Sequence, residues 1–132
     1  MTVGDILKTH PRPAAFDRDL LVRCIDECIE CAATCTSCAD ADLAEPDVHE
    51  LVRCIRLCLD CADVCDATRR ILIRQTEADL GVLRAATEAC ALTCRTCADE
   101  CDKHASHHEH CRICAEVCRA CAKACEDLLA AF

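Results

Sequence analysis

Cys24-Ile25-Asp26-Glu27-Cys28-Ile29-Glu30-Cys31-Ala32-Ala33-Thr34-Cys35-Thr36-Ser37-Cys38 carries five cysteines at steps of four, three, four and three residues. On an α-helix, residues three and four apart are neighbours, with Cβ atoms roughly 5–6 Å from one another. The stretch therefore predicts a helix with a thiol stripe along one face. Glycine and proline are absent from it, and the residues between the thiols show no period-two alternation of the kind a strand requires.

The same stepping recurs three more times, at Cys54, Cys58, Cys61, Cys65; at Cys90, Cys94, Cys97, Cys101; and at Cys111, Cys114, Cys118, Cys121, Cys125. Four striped helices follow, and the stripes occupy the positions where a helix bundle normally places leucine. The first helix is expected from about Phe16–Asp17 to Leu43. The second should run from Pro46, a residue tolerated at a first helical position, through Ile73. A turn near Gln75–Leu80 leads to a third helix over roughly Asp79–Lys103. The fourth is expected over about Ser106–Ala131, with Ser106 as its cap. Such short connections make bundle neighbours antiparallel. The fold expected is all-α, an antiparallel up-down-up-down four-helix bundle over residues 16–132, preceded by an N-terminal arm at 1–15 with a helical turn near Gly4–Thr9. Two helical hairpins that swap between chains are the alternative topology.

Composition narrows the function. There are 18 cysteines in 132 residues, no Trp or Tyr and only two Phe, so the thiols must supply much of the buried volume. A net charge of −9 argues against nucleic acid and against anionic lipid as partners. Met1–Leu20 contains no apolar signal core, and no run of residues approaches the length needed to span a bilayer. The expectation is a cytoplasmic chain whose thiols stay reduced.

Continuing the stepping past each stripe gives the bundle a direction. One end collects Phe16, Leu20, Leu21, Leu72, Leu80, Leu83, Leu128, Leu129 and Phe132 as an apolar plug. The other end reaches Asp42, His104 and His107, with His49, His108 and His110 close by. His104, His107, His108 and His110 are the candidate mouth residues, with His104 and His107 expected to extend the stripes; His10 and His49 are read as surface residues. A thiol-lined tube closed by hydrocarbon and opened by imidazole and carboxylate has the layout of a metal reservoir. Sulfur-only ligation selects soft ions, Cu(I) before zinc. Each Cu(I) cancels one thiolate charge, so filling to near neutrality predicts roughly 15–20 Cu(I) per chain.

The repeated CxxxCxxC pattern in all four helices, as in Cys24 to Cys31, and the His-bearing connection before the fourth resemble the cytosolic copper storage proteins, which are cysteine-lined four-helix bundles. The resemblance runs from about Phe16 to Phe132. It implies that all eighteen cysteines point inward and bind Cu(I), that CxxxC pairs often share an ion, and that the chain forms a homotetramer. A copper donor or chaperone is the partner such a protein would need. It also implies storage and not catalysis, and no Ser-His-Asp set, phosphate loop or paired-carboxylate signature stands in the sequence. The competing readings are an iron–sulfur or dithiol redox protein and a zinc-binding protein. Iron–sulfur motifs place cysteines on loops with a Cys-Pro end, and no cysteine here precedes proline.

Overall fold

The structure, a computed structural model, describes residues 2–132. Five α-helices follow one another: α1 (Val3–Lys8), α2 (Arg18–Leu43), α3 (Val52–Ile73), α4 (Leu80–Asp102) and α5 (Glu109–Leu129), with a 3-10 turn at Val48–Leu51 before α3. No strand occurs among the described residues, and none of their helices is long and apolar enough to cross a membrane. Helices α2–α5 form the expected up-down-up-down bundle. Each long helix packs on two others, α2 and α4 both contacting α3 and α5, so the remaining pairs sit across the diagonals.

Local chemistry explains the helix ends. The Asp17 carboxylate accepts from the backbone N–H groups of Asp19 and Leu20 at 2.9 and 3.1 Å, capping α2. Asp79 does the same for α4 through Val82 N–H at 2.9 Å. These are donors that the helix itself leaves unpaired. At the end of α3 the Gln75 amide donates to the Leu72 carbonyl at 2.7 Å.

Two boundaries differ from expectation. Pro46 does not open α3. It lies in the turn, and the chain first winds through a 3-10 turn that buries Leu51 completely. Ser106 does not cap α5 either; it is exposed in a turn that prolongs α4 through bonds from His107 and His108 N–H to the His104 carbonyl. His108 then takes an extended backbone, φ −135° and ψ 112°, and α5 begins at Glu109.

The N-terminal arm docks beside the apolar end of the bundle. Leu7 is buried, and Val3, Ala14 and Phe16 pack against the same cluster as Leu20, Leu21 and Val22. At the crossing of α1 over α2, a Cβ on Gly4 would stand only 3.2 Å from the Val22 Cγ1, so glycine permits the close approach. The apolar plug is real, with Leu21, Leu72, Leu83 and Leu128 buried and the Phe16 and Phe132 rings 4.5 Å apart. The Arg84 guanidinium covers Phe132 at 5.1 Å. Leu80 departs from expectation: at the first position of α4 it is half-exposed and lies outside the plug.

Candidate metal centre

All eighteen cysteines are free thiols and all are buried. They form one continuous column. At its lower end Cys24 and Cys125 lie 3.7 Å apart, and above them Cys28 meets Cys90 at 3.7 Å and Cys121 at 3.8 Å. Cys31 has four sulfur neighbours: Cys35 at 3.8 Å, Cys61 and Cys94 at 3.9 Å, and Cys118 at 3.7 Å. Higher still, Cys35 approaches Cys118 at 3.4 Å, Cys58 approaches Cys97 at 3.7 Å, and Cys54 approaches Cys101 at 3.7 Å. With a metal–sulfur bond of about 2.3 Å, thiolates around one ion sit about 3.8 Å apart in a tetrahedron and about 4.0 Å apart in a plane. The column therefore stands at metal–thiolate spacing.

Four-sulfur groups such as Cys28/Cys90/Cys121/Cys125, Cys31/Cys65/Cys94/Cys121 and Cys31/Cys35/Cys61/Cys118 overlap through shared members. Ions held in neighbouring groups would share thiolates. The packed thiols shift one another in opposite directions: hydrogen bonds from Cys114 and Cys118 push the Cys35 thiol up and those from Cys121 and Cys28 do the same for Cys65, while hydrogen bonds from Cys118 pull the Cys31 and Cys61 thiols down. Metal binding expels the thiol protons that are present.

Below the column the stripes continue in a different chemistry. Thr68, three residues beyond Cys65, and Thr87, three before Cys90, are fully buried. Their hydroxyls donate to the carbonyls of Ala86 at 3.4 Å and Leu83 at 2.7 Å, and so are spent on backbone. They form a floor between thiol and leucine. The same three-residue step that traced the cysteines was the signal for them.

The upper end is built from α2, α4 and α5 and from the turns that follow α2 and α4. His110, in the first turn of α5, places Nδ1 3.4 Å from Cys38 Sγ, 3.7 Å from Cys111 Sγ and 3.5 Å from Asp42 Oδ1. Its Nε2 faces Glu45 Oε1 at 3.4 Å, which favours a proton on Nε2 and leaves the Nδ1 lone pair toward the thiols. A cleft lined by Thr34, Ser37, Cys38, His110 and Ile113 leads to this point from the surface. His108 stacks on His110, ring centroids 5.4 Å apart, and puts Nε2 3.0 Å from Asp47 and Nδ1 3.2 Å from Glu45. The Asp47 carboxylate raises the His108 pKa, and the imidazole in turn holds Asp47 below its usual range. His104 pairs through Nε2 with the buried Glu100 at 2.9 Å.

Of the four mouth candidates, the structure thus gathers His104, His108 and His110 with carboxylate partners. It leaves His107 exposed on the turn. Stepping back four residues from Cys111 reaches His107 only if the helix continues, and it does not. Asp42 is fully buried at the top of α2, its pKa raised to about 7 by burial and by the nearby Cys54. Glu45, Asp47 and Glu100 complete the mouth and were not singled out from the sequence. Glu100 stands four residues before His104 on the same helix and was readable there; Glu45 and Asp47 come from a separate turn and gave no such signal.

A bundle whose interior is a lattice of shared thiols defines a protein that holds several soft metal ions at once. The copper storage protein family (Csp) matches residues 17–130, and the chain belongs to that family. Ccsp, the copper storage protein of Streptomyces lividans, solved loaded with 10 copper equivalents, is 53% identical; the match covers 99% of this chain and 100% of that one with a TM-score of 0.97. The Cu(I)-bound copper storage protein BsCsp3 is 36% identical over 80% of this chain and 94% of its own, with a TM-score of 0.71. A cysteine-rich Bacillus subtilis (strain 168) protein, YhjQ, described as uncharacterized, is 36% identical over 93 residues, 70% of this chain and 81% of that protein.

Proposed function

We propose that this chain is a cytosolic Cu(I) store that fills its thiol column through the histidine mouth. The observation that carries this is the unbroken run of buried free sulfurs from Cys24 and Cys125 up to Cys38, which His110 touches from the surface cleft. Membership of the copper storage family and the copper-loaded relatives support the same reading, and a Streptomyces lividans relative is described as cytosolic.

The mouth residues have a division of labour. An imidazole binds Cu(I) more weakly than a set of thiolates, so His110 can take an ion at the cleft and release it to Cys38 or Cys111. Glu45 orients both His110 and His108, and Glu100 orients His104. As Cu(I) enters, each ion replaces thiol protons and cancels one thiolate charge, so the column fills without accumulating buried charge. The eighteen sulfurs then set the capacity.

Storage and not catalysis is the role, with the copper ion as cargo and a copper donor or chaperone as the partner that delivers it. A homotetramer fits the half-exposed Ile29, Leu59, Leu92 and Ile113, apolar side chains on the outer faces of α2, α3, α4 and α5 that another copy would cover.

Anaerobic Cu(I) titration of the reduced protein against a competing chelator tests the reading. Saturation at roughly 15–20 ions per chain, with no visible colour, is expected of filled-shell Cu(I) thiolates. Saturation near four, or a brown product after growth without added copper, would overturn it in favour of zinc-type or iron–sulfur binding.

A further inference from the structure

Within the column the sulfurs close into triangles. Cys31, Cys35 and Cys118 stand 3.8, 3.7 and 3.4 Å from one another. Cys61, Cys65 and Cys94 form a second triangle with edges of 3.9, 3.7 and 3.6 Å, and Cys58, Cys97 and Cys101 a third with edges of 3.7, 3.8 and 4.0 Å. The three share no member. Each joins two cysteines four residues apart on one helix to a third from a neighbouring helix, α5 for the first, α4 for the second and α3 for the third. Every one of these sulfurs is fully buried.

Three thiols around one point suit a soft trivalent centre that carries a lone pair in its fourth direction, and trivalent arsenic is such a centre. Bonds near the zinc–thiolate length of about 2.3 Å, at angles a little above a right angle, set three sulfurs about 3.4–3.6 Å apart. Closing the observed triangles to that size shortens no edge by more than about half an ångström, which small turns about the cysteine Cα–Cβ bonds supply.

Charge favours the same guest. Cu(I) cancels one thiolate, so a single ion on three thiolates leaves two negative charges buried until further ions arrive. A trivalent centre on three thiolates is neutral by itself, and each triad can fill alone. Arsenous acid is also uncharged before it binds. It therefore meets no repulsion at a mouth rimmed by Asp42, Glu45, Asp47 and Glu100, on a chain of net charge −9.

We propose that the copper-free column also binds arsenous acid, As(OH)3, as separate trithiolate complexes at Cys31/Cys35/Cys118, Cys61/Cys65/Cys94 and Cys58/Cys97/Cys101. This goes beyond copper storage and uses the thiols only while they hold no copper. At each triad three S–H and three As–O bonds break, three As–S bonds form, and three water molecules leave. Arsenic stays trivalent and no electron is transferred. Burial keeps bulk water, the reactant of the reverse step, away from the As–S bonds.

Sodium arsenite is the probe, added anaerobically to the reduced, metal-free full chain in buffer without other thiols. Native mass spectrometry should show adducts that each add one arsenic and remove three hydrogens, saturating at three per chain, with three free thiols lost per arsenic. The sulfur-to-arsenic absorption falls in a near-ultraviolet window that a chain without Trp or Tyr leaves clear. Cys118→Ser, Cys94→Ser and Cys58→Ser should each lower saturation from three to two, whereas Cys24→Ser, outside all the triads, should leave it at three. Circular dichroism checks that each variant keeps its helix content, and Cys35→Ser, Cys61→Ser and Cys97→Ser repeat the test for the same three triads where one does not. Any other saturation in the unaltered chain, adducts that keep an oxygen on two thiols, or a saturation indifferent to Cys118, Cys94 and Cys58 would overturn the proposal. No copper enters the titration, so its failure is separate from a failure of the storage reading.

Discussion

Replacing Leu128 by alanine tests what holds the bundle together when no metal is present. Leu128 is completely buried in the plug beside Leu21, Leu72 and Leu83, with the Phe16–Phe132 pair at its edge. A buried leucine cut to alanine loses its transfer free energy and leaves a cavity, together about 3–5 kcal/mol where the surroundings close only in part. That is a large share of the 5–15 kcal/mol by which domains are ordinarily stable, and at this chain length it corresponds to a fall in Tm of roughly 10–20 °C. Urea or thermal unfolding of reduced, chelated protein, followed by helical circular dichroism, measures it. Copper capacity should stay at the wild-type value, because Leu128 lies beyond the last thiols and Thr68 and Thr87 end the column above it. A loss below about 1 kcal/mol, or a coil spectrum for the metal-free wild type, would refute the view that the plug, and not the metal, sets the fold.

The mouth supplies two further tests. Asp42 sits near about 7 in the folded chain against an ordinary 3.8, so between those values the native state keeps a proton that the unfolded chain has lost. Stability then falls as pH rises through that window, by up to about 1.4 kcal/mol per unit, and levels off above it. Asp42→Asn removes this slope, and urea midpoints of the reduced, metal-free proteins at about pH 5 and about pH 8 should differ by about 2–3 kcal/mol more in the wild type; equal pH dependence would sink the assignment. Alanine at His104, His107, His108 and His110 together should slow Cu(I) uptake by about tenfold or more in stopped-flow transfer from a chelator. His107→Ala alone should not slow it, since that side chain lies exposed on the turn; a slowing equal to that of the fourfold variant would contradict the placement.

The thiol stripes were legible because helical periodicity survives from sequence to structure wherever the helix does. Cys24 through Cys125 needed only the three-and-four step, and Leu21, Leu72, Leu83 and Leu128 of the plug followed from the same count, while Leu80 did not. The step failed where the helix stopped. His107 was reached by counting back through a segment that turns, and the imidazole that meets Cys38 is His110, one residue before Cys111. First-turn side chains flank the stripe and lean toward a neighbouring helix, a relation that depends on how α2 and α5 pack and not on spacing within α5. Pro46 and Ser106 misled for a related reason: each is a good helix-start residue, but the burial of Leu51 and the carboxylate partners of His108 decided where the helices began.

A core of cysteine ought to be a poor core. Each thiol buries less apolar surface than the leucine it replaces, and at about 25 cal/mol per Å² the difference over eighteen positions is large. The structure concentrates its stronger packing outside the column, in the plug and in the N-terminal arm that braces it. Ion pairs between helices add only modestly, among them Arg23–Asp127 and Arg95–Glu126, both 2.8 Å and both partly exposed. That division has a functional consequence. If the thiols themselves held the helices together, emptying the store would unfold it, as removing zinc unfolds a zinc finger. With the plug holding one end and side-chain caps starting α2 and α4, copper can enter and leave a scaffold whose fold is set outside the column. The fully buried Thr68 and Thr87 mark where the two tasks meet, their hydroxyls committed to backbone carbonyls and not to metal.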